Sequence, residues 1–500
     1  MRTSIRAGLA GVAAAAAALG VAELLAVFAG ARSAPLVAVG GVVVDHVPPG
    51  VKDFAIATFG THDKTALLTG TAVLLGLYAY GVGVLAARRR PFALAGIALF
   101  GVVGIAAAVT RPGAGVAAGI PSAVGAALAV WVLRHLLGLE GASHETDPEA
   151  RRRFLKQVGI VAAVAVGGGT AGRWLTSRGA ATEARKELTL PAASEPPPVV
   201  PAGAQVPGAV PYVTPNADFY RIDTALISPQ VDPANWTLKI HGMVRNPIEI
   251  TWAELLQRPM VERYVTLACV SNEVGGDLIG NALWLGTPIK ALLDEADPLP
   301  GADQVVQRST DGWTCGTPTA ALRDGRDALL AIGMNGEPLP VEHGFPVRMI
   351  VPGLYGYVSA CKWITEIELT RFSDFDAYWV PRGWSAQGPI KTESRIDTPR
   401  DHASRKPGPV AVAGVAWAQH RGIAKVEVQV DDGAWETASL APAVSDDTWR
   451  QWKHTWTASS GEHVLRVRAT DLDGYTQTSD LADPAPDGAT GWHQVTVSVS

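Results

Sequence analysis

The sequence predicts a chain in three parts: an N-terminal α-helical membrane domain of about five helices, an α+β body, and a C-terminal region of short β-strands. Three observations carry this prediction. Of the 500 residues, 48% are hydrophobic and mean hydropathy is +0.16, high for a chain that folds wholly in water. The excess is local, because residues 1–140 are mostly Ala, Gly, Val and Leu, while all fifteen Trp fall at or after Trp131. From about residue 408 the pattern changes again, to alternation with a period of two.

From the N-terminus, four apolar stretches at about 7–29, 65–87, 92–110 and 115–137 are long enough to cross roughly 30 Å of hydrocarbon at about 1.5 Å per residue. A helical bundle buried in a soluble protein would show polar stripes, which these runs lack. Lys and Arg in the short loops set the orientation. Arg2 and Arg6 before the first span, Arg88, Arg89 and Arg90 between the second and third, and Arg134 closing the fourth belong inside. Residues 30–63 then face outward. Their run Leu36–Val44, followed by Val47-Pro48-Pro49-Gly50, is too short to span. Glu23 lies within the first span, where a single glutamate is either structural or a functional group.

Residues 151–156 read Arg-Arg-Arg-Phe-Leu-Lys and precede a mildly apolar run, Val158–Leu175. This is the pattern of a twin-arginine export signal moved to the interior of the chain. An ordinary positive-inside anchor for a fifth transmembrane helix gives the same arginines. Both readings put residue 180 onward outside the cytoplasm, and the first fits a protein exported with its cofactor already inserted. A Pro-rich segment (Pro191, Pro196, Pro197, Pro198, Pro201, Pro207, Pro211) then reads as a semi-rigid, extended tether.

In the body, Trp236–His241 and Pro247–Thr251 read as short strands, the run from Thr251 as a helix with Thr251 as N-cap, and Pro288–Asp294 as a helical turn. Beyond residue 408, the stretches from Lys425, Val464 and Val495 alternate apolar and polar residues, and Asp431-Asp432-Gly433 supplies a turn. Short strands with turn residues between them argue an immunoglobulin-like β-sandwich.

Composition excludes some functions. Charged residues are 18% and net charge is −5, so no basic face for nucleic acid is indicated. Cys269, Cys315 and Cys361 allow one disulfide at most, and no C-x-x-C pair offers a zinc site. No C-x-x-C-H haem attachment or flavin fingerprint is present, and His46, His62 and His135 show no paired placement within spans that would bind haem.

Several motifs together carry a resemblance. Tyr264-Val-Thr-Leu-Ala-Cys269-Val-Ser-Asn272 is followed by Asn281-Ala-Leu-Trp284. Asn216-Ala-Asp-Phe219-Tyr220-Arg221 precedes Trp236-Thr-Leu-Lys-Ile-His-Gly242. Met334-Asn335-Gly336 leads into His343-Gly-Phe-Pro-Val-Arg348, Val351-Pro-Gly-Leu-Tyr-Gly356 and Lys362-Trp363. By these the chain resembles the sulfite oxidase family of molybdenum enzymes over about 212–500, including a C-terminal dimerisation domain that carries Trp417, Trp435 and Gly491-Trp-His493. The resemblance implies a molybdenum-molybdopterin cofactor, a single pyranopterin dithiolene, with Cys269 as the protein's metal ligand. A soft thiolate suits a metal already bound by sulfur. It implies that Phe219, Tyr220, Arg221, Asp223, Asp311, His343, Arg348, Lys362 and Trp363 bind the cofactor, and that Cys269, Arg221 and Trp284, the last at the pocket wall, serve the reaction. It further implies a homodimer through the C-terminal domain, a small-molecule substrate, and a membrane quinone or cytochrome as electron partner.

The chain departs from the family pattern at the substrate. Sulfite-oxidising relatives follow the cysteine with Asn and paired arginines, where Asn272 here precedes Glu273 and Val274. They carry a tyrosine where this chain has Ile332, and a histidine where it has Asp223. A desolvated dianion needs compensating cations and donors. The expected substrate is therefore a sulfoxide, N-oxide or other sulfur compound handled by two-electron oxygen-atom transfer, with sulfite, or a cofactor-free sensor module that kept the fold, as alternatives. The expected domains are a four-helix membrane region (1–140), the arginine motif with a fifth helix (141–180), the linker (181–211), the cofactor domain (212–400) and the Ig-like domain (401–500).

Overall fold

A computed structural model describes residues 3–47, 51, 63–111, 114–140, 148–177 and 179–500. Arg2, residues 48–50 and His62 lie outside them. The chain divides into two compact units, Met1–Glu183 with Thr224–Gln230, and Ala184–Asp223 with Val231–Ser500.

In the first unit, helices Thr3–Ala29, Asp63–Arg88, Arg90–Val109, Ile120–Glu140 and Pro148–Ser177 follow the expected apolar runs. Five helices in this unit are long and apolar enough to cross a membrane, as a multi-pass anchor requires. Pro35–His46 is helical too, but its 12 residues reach only about 18 Å. The first helix is packed from several sides because its small residues let backbones approach. A side chain at Gly11 would meet the carbonyl of Ala79 at 2.1 Å, and one at Gly20 that of Ala165 at 2.4 Å. Glu23 is buried, with Arg173 of the last long helix at 4.0 Å. Phe154 of the arginine motif is buried in the same core, while Arg151, Arg152 and Arg153 are exposed. Thr224–Gln230 belongs to this unit in space: Leu226 and Ile227 pack on Ala26, Ala34 and Val37.

The second unit begins with one mixed and one antiparallel sheet. In one the strand order is Ile248–Thr251, Thr237–Gly242, Ile364–Thr370, Gln304–Ser309, Thr314–Pro318. The other runs Val261–Ala268, Ile279–Pro288, Leu329–Met334, Glu337–Pro338, with Arg348–Ile350 also on Leu329–Met334. The helix after Thr251 is Trp252–Leu256 and carries a full capping box: Thr251 accepts from the Glu254 amide, and Glu254 accepts from the Thr251 amide.

C-terminal to these lie a four-stranded and a five-stranded sheet, with Glu393–Thr398, Gly408–Trp417 and Arg450–Ala458 in the first, and Ile423–Val430, Gly461–Asp471 and His493–Val499 in the second. Val412, Trp452, Val428 and Val467 from both sheets share one apolar core. Glu393–Thr398 pairs with Gly408–Trp417, so the β-region begins before residue 400, the boundary expected from composition. Trp417 and Trp449 join the core of these first two sheets, so the two parts of this unit are packed as one.

The Pro-rich segment differs from the expected tether. After a short helix, Ala180–Glu187, it lies along the second unit with its backbone groups paired. Ser194 donates to the Met260 carbonyl at 2.7 Å, Val206 N–H to Gln451 Oε1 at 2.6 Å and Val210 N–H to Asp397 at 3.0 Å, and Ala204 is fully buried. Proline leaves few donors to satisfy, so such a strap packs on a surface at little polar cost.

Candidate active site

Cys269 follows the strand Val261–Ala268 and opens the loop that returns in Ile279–Pro288, where Ala268 pairs with Ile279. Its N–H donates to the Leu278 carbonyl at 2.9 Å and its carbonyl accepts from Asn272 at 3.1 Å, which closes a tight turn. Asn272 accepts from Leu278 N–H at 2.8 Å. Arg395 donates to the Gly276 carbonyl at 2.7 Å. Gly275, at φ 78°, lets the His493 ring lie where a Cβ would be 2.1 Å away. The C-terminal sheets thus hold the cysteine loop from behind. Burial pushes the Cys269 thiol up, against donors from Ser271 and Val270 that favour the thiolate. Cys315 and Cys361 are also free and buried.

The basic residues converge, although they come from three segments. Asp223 Oδ2 accepts from Lys362 Nζ at 2.7 Å and from Arg221 Nε at 3.0 Å, with the aspartate side chain 5% exposed. Arg348 donates to the His343 carbonyl at 3.0 Å, and His343 Nε2 donates to the Asn216 carbonyl at 3.2 Å. Burial first, then Arg348 and Lys362, push His343 down to about 3. Burial lowers Lys362 to about 8, opposed by Asp223, and Arg348 to about 10. Tyr220 joins the two halves of the site: burial raises its hydroxyl, Cys269 adds to the rise and Arg348 opposes it.

Aromatic packing fixes these positions. Phe219 stacks on Tyr220 and meets Trp284 and His343 edge-on, each at 5.7 Å. Trp363 Nε1 donates to the Val341 carbonyl at 2.9 Å, and Lys362 Nζ lies 4.8 Å from the Trp363 ring. Trp284 is fully buried, its Nε1 donates to the Val265 carbonyl, and the Arg348 guanidinium lies 5.0 Å from its ring, so it supports Arg348. Asp311 accepts from Trp313 N–H at 3.1 Å in the turn between two strands, where the neighbouring Thr310 donates to the Trp363 carbonyl at 3.0 Å. Ile332 is wholly in the core.

Sequence reasoning missed Asn335 and Tyr355 as parts of the site. Asn335, at φ 52°, donates to the Thr214 carbonyl and Asn216 Oδ1 and accepts from Leu283 N–H, so it pins the segment leading to Phe219. The Asn-Gly pair was a readable turn signal. Tyr355 is buried, and Cys269 is among the groups that raise its hydroxyl.

The arrangement suits an anionic, sulfur-ligated cofactor. Arg221, Arg348 and Lys362 are offset in these contacts by the carboxylate of Asp223, and Arg348 Nε is buried without a hydrogen-bond partner among the described residues. A phosphate would satisfy both the charge and the open donor. The described residues hold no group of three His, Cys, Asp or Glu that could bind a metal unaided. A metal here would thus rest on one thiolate and on ligands brought by a cofactor.

Comparison with known proteins agrees with this geometry. Residues 225–379 match the oxidoreductase molybdopterin binding domain family. The chain is 28% identical to human mitochondrial sulfite oxidase over 342 residues, covering 58% of this chain and 62% of that protein's length. It is 30% identical to the sulfite oxidase of Arabidopsis thaliana, covering 46% of this chain and 70% of that one. It is also 30% identical to the oxidoreductase YuiH of Bacillus subtilis, covering 31% and 76%. With these matches and a cysteine and basic cluster of fitting chemistry, the chain belongs to the sulfite oxidase superfamily of molybdopterin-dependent oxidoreductases.

Proposed function

We propose that this protein is a membrane-tethered, extracytoplasmic molybdenum-cofactor oxidoreductase that exchanges an oxygen atom with a weakly charged sulfur compound or N-oxide. The observation that carries the reading is the buried Cys269 thiol together with the converging Arg221, Lys362 and Arg348, the first two held by Asp223. The cofactor, when bound, supplies the two-electron oxygen-atom exchange. Cys269 holds the metal. Arg221, Arg348 and Lys362 hold the anionic end of the pterin, with Asp223 setting the position of Lys362 and Arg221. Phe219, Tyr220, His343 and Trp363 close the pocket around it, and Asp311 contributes from its turn.

The substrate class rests on what surrounds Cys269. Glu273 is exposed in the cysteine loop where sulfite-oxidising relatives place arginine, and Ile332 is buried. Neither offers a cation to a dianion. Sulfite remains the second reading, favoured by the named activity of the human and Arabidopsis relatives. The positive-inside arrangement of Arg6, Arg88–Arg90 and Arg134 supports an outward-facing body, and the arginine motif at 151–156 supports export of a folded, loaded domain. The two C-terminal sheets fit an Ig-like dimerisation domain, and the helices suit delivery of electrons by a membrane quinone or cytochrome.

Purification of the full chain from a host that makes the cofactor tests the reading directly. About one molybdenum per chain is expected; none would favour a binding module that kept the fold. Steady-state assays then separate the substrates, since efficient turnover at low sulfite would remove the weakly charged class.

A further inference from the structure

At the start of the C-terminal sheets lies a buried carboxylic acid that this mechanism does not yet use. Glu393 begins the strand Glu393–Thr398 and is 5% exposed. Its Oε1 is buried without a hydrogen-bond partner among the described residues. Its cross-strand neighbour is Trp417, whose Nε1 is also buried and unpaired. Gln419, two residues beyond Trp417, donates to the Thr266 carbonyl but leaves Oε1 unpaired, and Asn272 of the cysteine loop leaves Nδ2 unpaired. Isolated orphans of this kind are rare in folded proteins, and a group of them marks a place where internal water completes the bonding.

Tyr355 shares one apolar core with Trp417 and with Ala268, the residue before Cys269. Its hydroxyl feels both the Glu393 carboxyl and the Cys269 thiol, and it accepts from Lys391 N–H at 3.4 Å. Lys391 in turn donates to Asp487 at 2.8 Å and to the Gly488 carbonyl at 2.6 Å, and Asp487 is 53% exposed. Asp487 at the surface is thus joined through Lys391 to the Tyr355 hydroxyl, and Glu393 follows two residues after Lys391 in the same segment.

The groups around Glu393 explain its charge state. Lys391 is the cation acting on it. Arg395, on the same strand, is committed to Asp397 and the Gly276 carbonyl. Arg421 and Asp471 close on the adjacent Thr392. Burial therefore outweighs Lys391 and raises Glu393 to about 8.

We propose that Glu393 stores and exchanges a proton for the Cys269 site, passing it between its Oε1 and the Tyr355 hydroxyl through internal water. This rests on the oxidoreductase reading above. Reduction of a sulfoxide or N-oxide releases its oxygen as water and consumes two electrons and two protons; the electrons come from the proposed quinol or cytochrome, and Glu393 relays protons arriving from solvent. In the opposite direction it accepts them. Glu393 acts through Tyr355 and is a positioning residue for the proton, not a group that touches substrate.

The test begins with infrared difference spectra of the full chain against Glu393→Gln. A protonated carboxyl band that is present at pH 6, lost with a midpoint near pH 8 and missing from the variant is expected. Absence of that band at pH 6 would overturn the proposal. In the loaded enzyme, Glu393→Gln should lower turnover about tenfold or more at unchanged molybdenum content and remove the limb of the pH profile near 8, with Glu393→Asp restoring part of both. An unchanged pH profile in Glu393→Gln would also overturn it. If Glu393→Gln does not fold, the same band and limb are followed in Glu393→Asp, where a shifted midpoint supports the proposal and an unmoved one opposes it. Wild-type protein without molybdenum would instead sink the oxidoreductase reading and this role with it, even where the band is found, so the two failures are distinguishable.

Discussion

The two flanks of the Cys269 site answer burial differently. On one flank Lys362 is lowered to about 8 and Arg348 to about 10, yet both stay protonated at neutral pH. On the other, Glu393 is raised to about 8 and so loses its charge there. Desolvation acts against the charged form in every case. The difference lies in the partner: Lys362 has the Asp223 carboxylate at 2.7 Å, and Arg348 has a carbonyl and an aromatic face. Glu393 has Lys391 alone, already bonded to Asp487. On the readings proposed above, the first set of groups would hold an anion and Glu393 a proton.

The sharpest way to break this comparison removes the centre that both flanks serve. Cys269→Ser should lower molybdenum-dependent turnover about 100-fold or more, because a hard hydroxyl is a poor substitute for a soft thiolate. Metal content and turnover measured together would check it. Next in size, Arg348→Ala should weaken cofactor retention by about 2–5 kcal/mol, the cost of truncating a buried, charged donor. Cofactor released on gel filtration is the readout, and full retention would contradict an anion-holding role.

A smaller effect separates the flanks by the sign of their pH dependence. His343 has a folded value of about 3 against an ordinary 6.5, so between those values the unfolded chain binds more protons and stability falls as pH drops from about 6.5 towards 3. Glu393 has a folded value of about 8 against an ordinary 4.5, so the folded chain binds more protons and stability falls as pH rises from about 4.5 to 8. Thermal melts should therefore lose their acid slope in His343→Gln and their alkaline slope in Glu393→Gln. Melts in which the two variants change the same limb would contradict the assignment. The smallest change is Trp284→Phe, expected to cost about 1–3 kcal/mol in denaturant unfolding through the lost Val265 hydrogen bond and the poorer face under Arg348.

Much of this was legible from sequence where the signal is local. The apolar runs gave the five long helices, and Thr251 as N-cap gave a helix start, which the structure completes as a capping box with Glu254. The motif residues Arg221, His343, Arg348 and Lys362 were identified one by one, and the structure brings them together. The motif named Trp284 but not which of its faces Arg348 covers. The Pro-rich strap was misread because composition sets stiffness while packing depends on the surface it meets. Glu393 carried no signal at all. It lies 124 positions after Cys269, and a glutamate opening a strand ordinarily faces water.

By itself the sequence determined the elements and the chemical types available: helices long enough for a membrane, strands of period two, one thiol after a strand, and a set of cations at motif spacing. These follow from local periodicity and side-chain chemistry. Only the tertiary structure decided which charges are paired. Asp223 meets Lys362 across 139 residues and stabilises its charge, while Glu393 is enclosed with no comparable partner. The physical reason is that a buried group's ionisation depends on desolvation and on neighbours within a few ångströms, and those are set by folding, not by order along the chain.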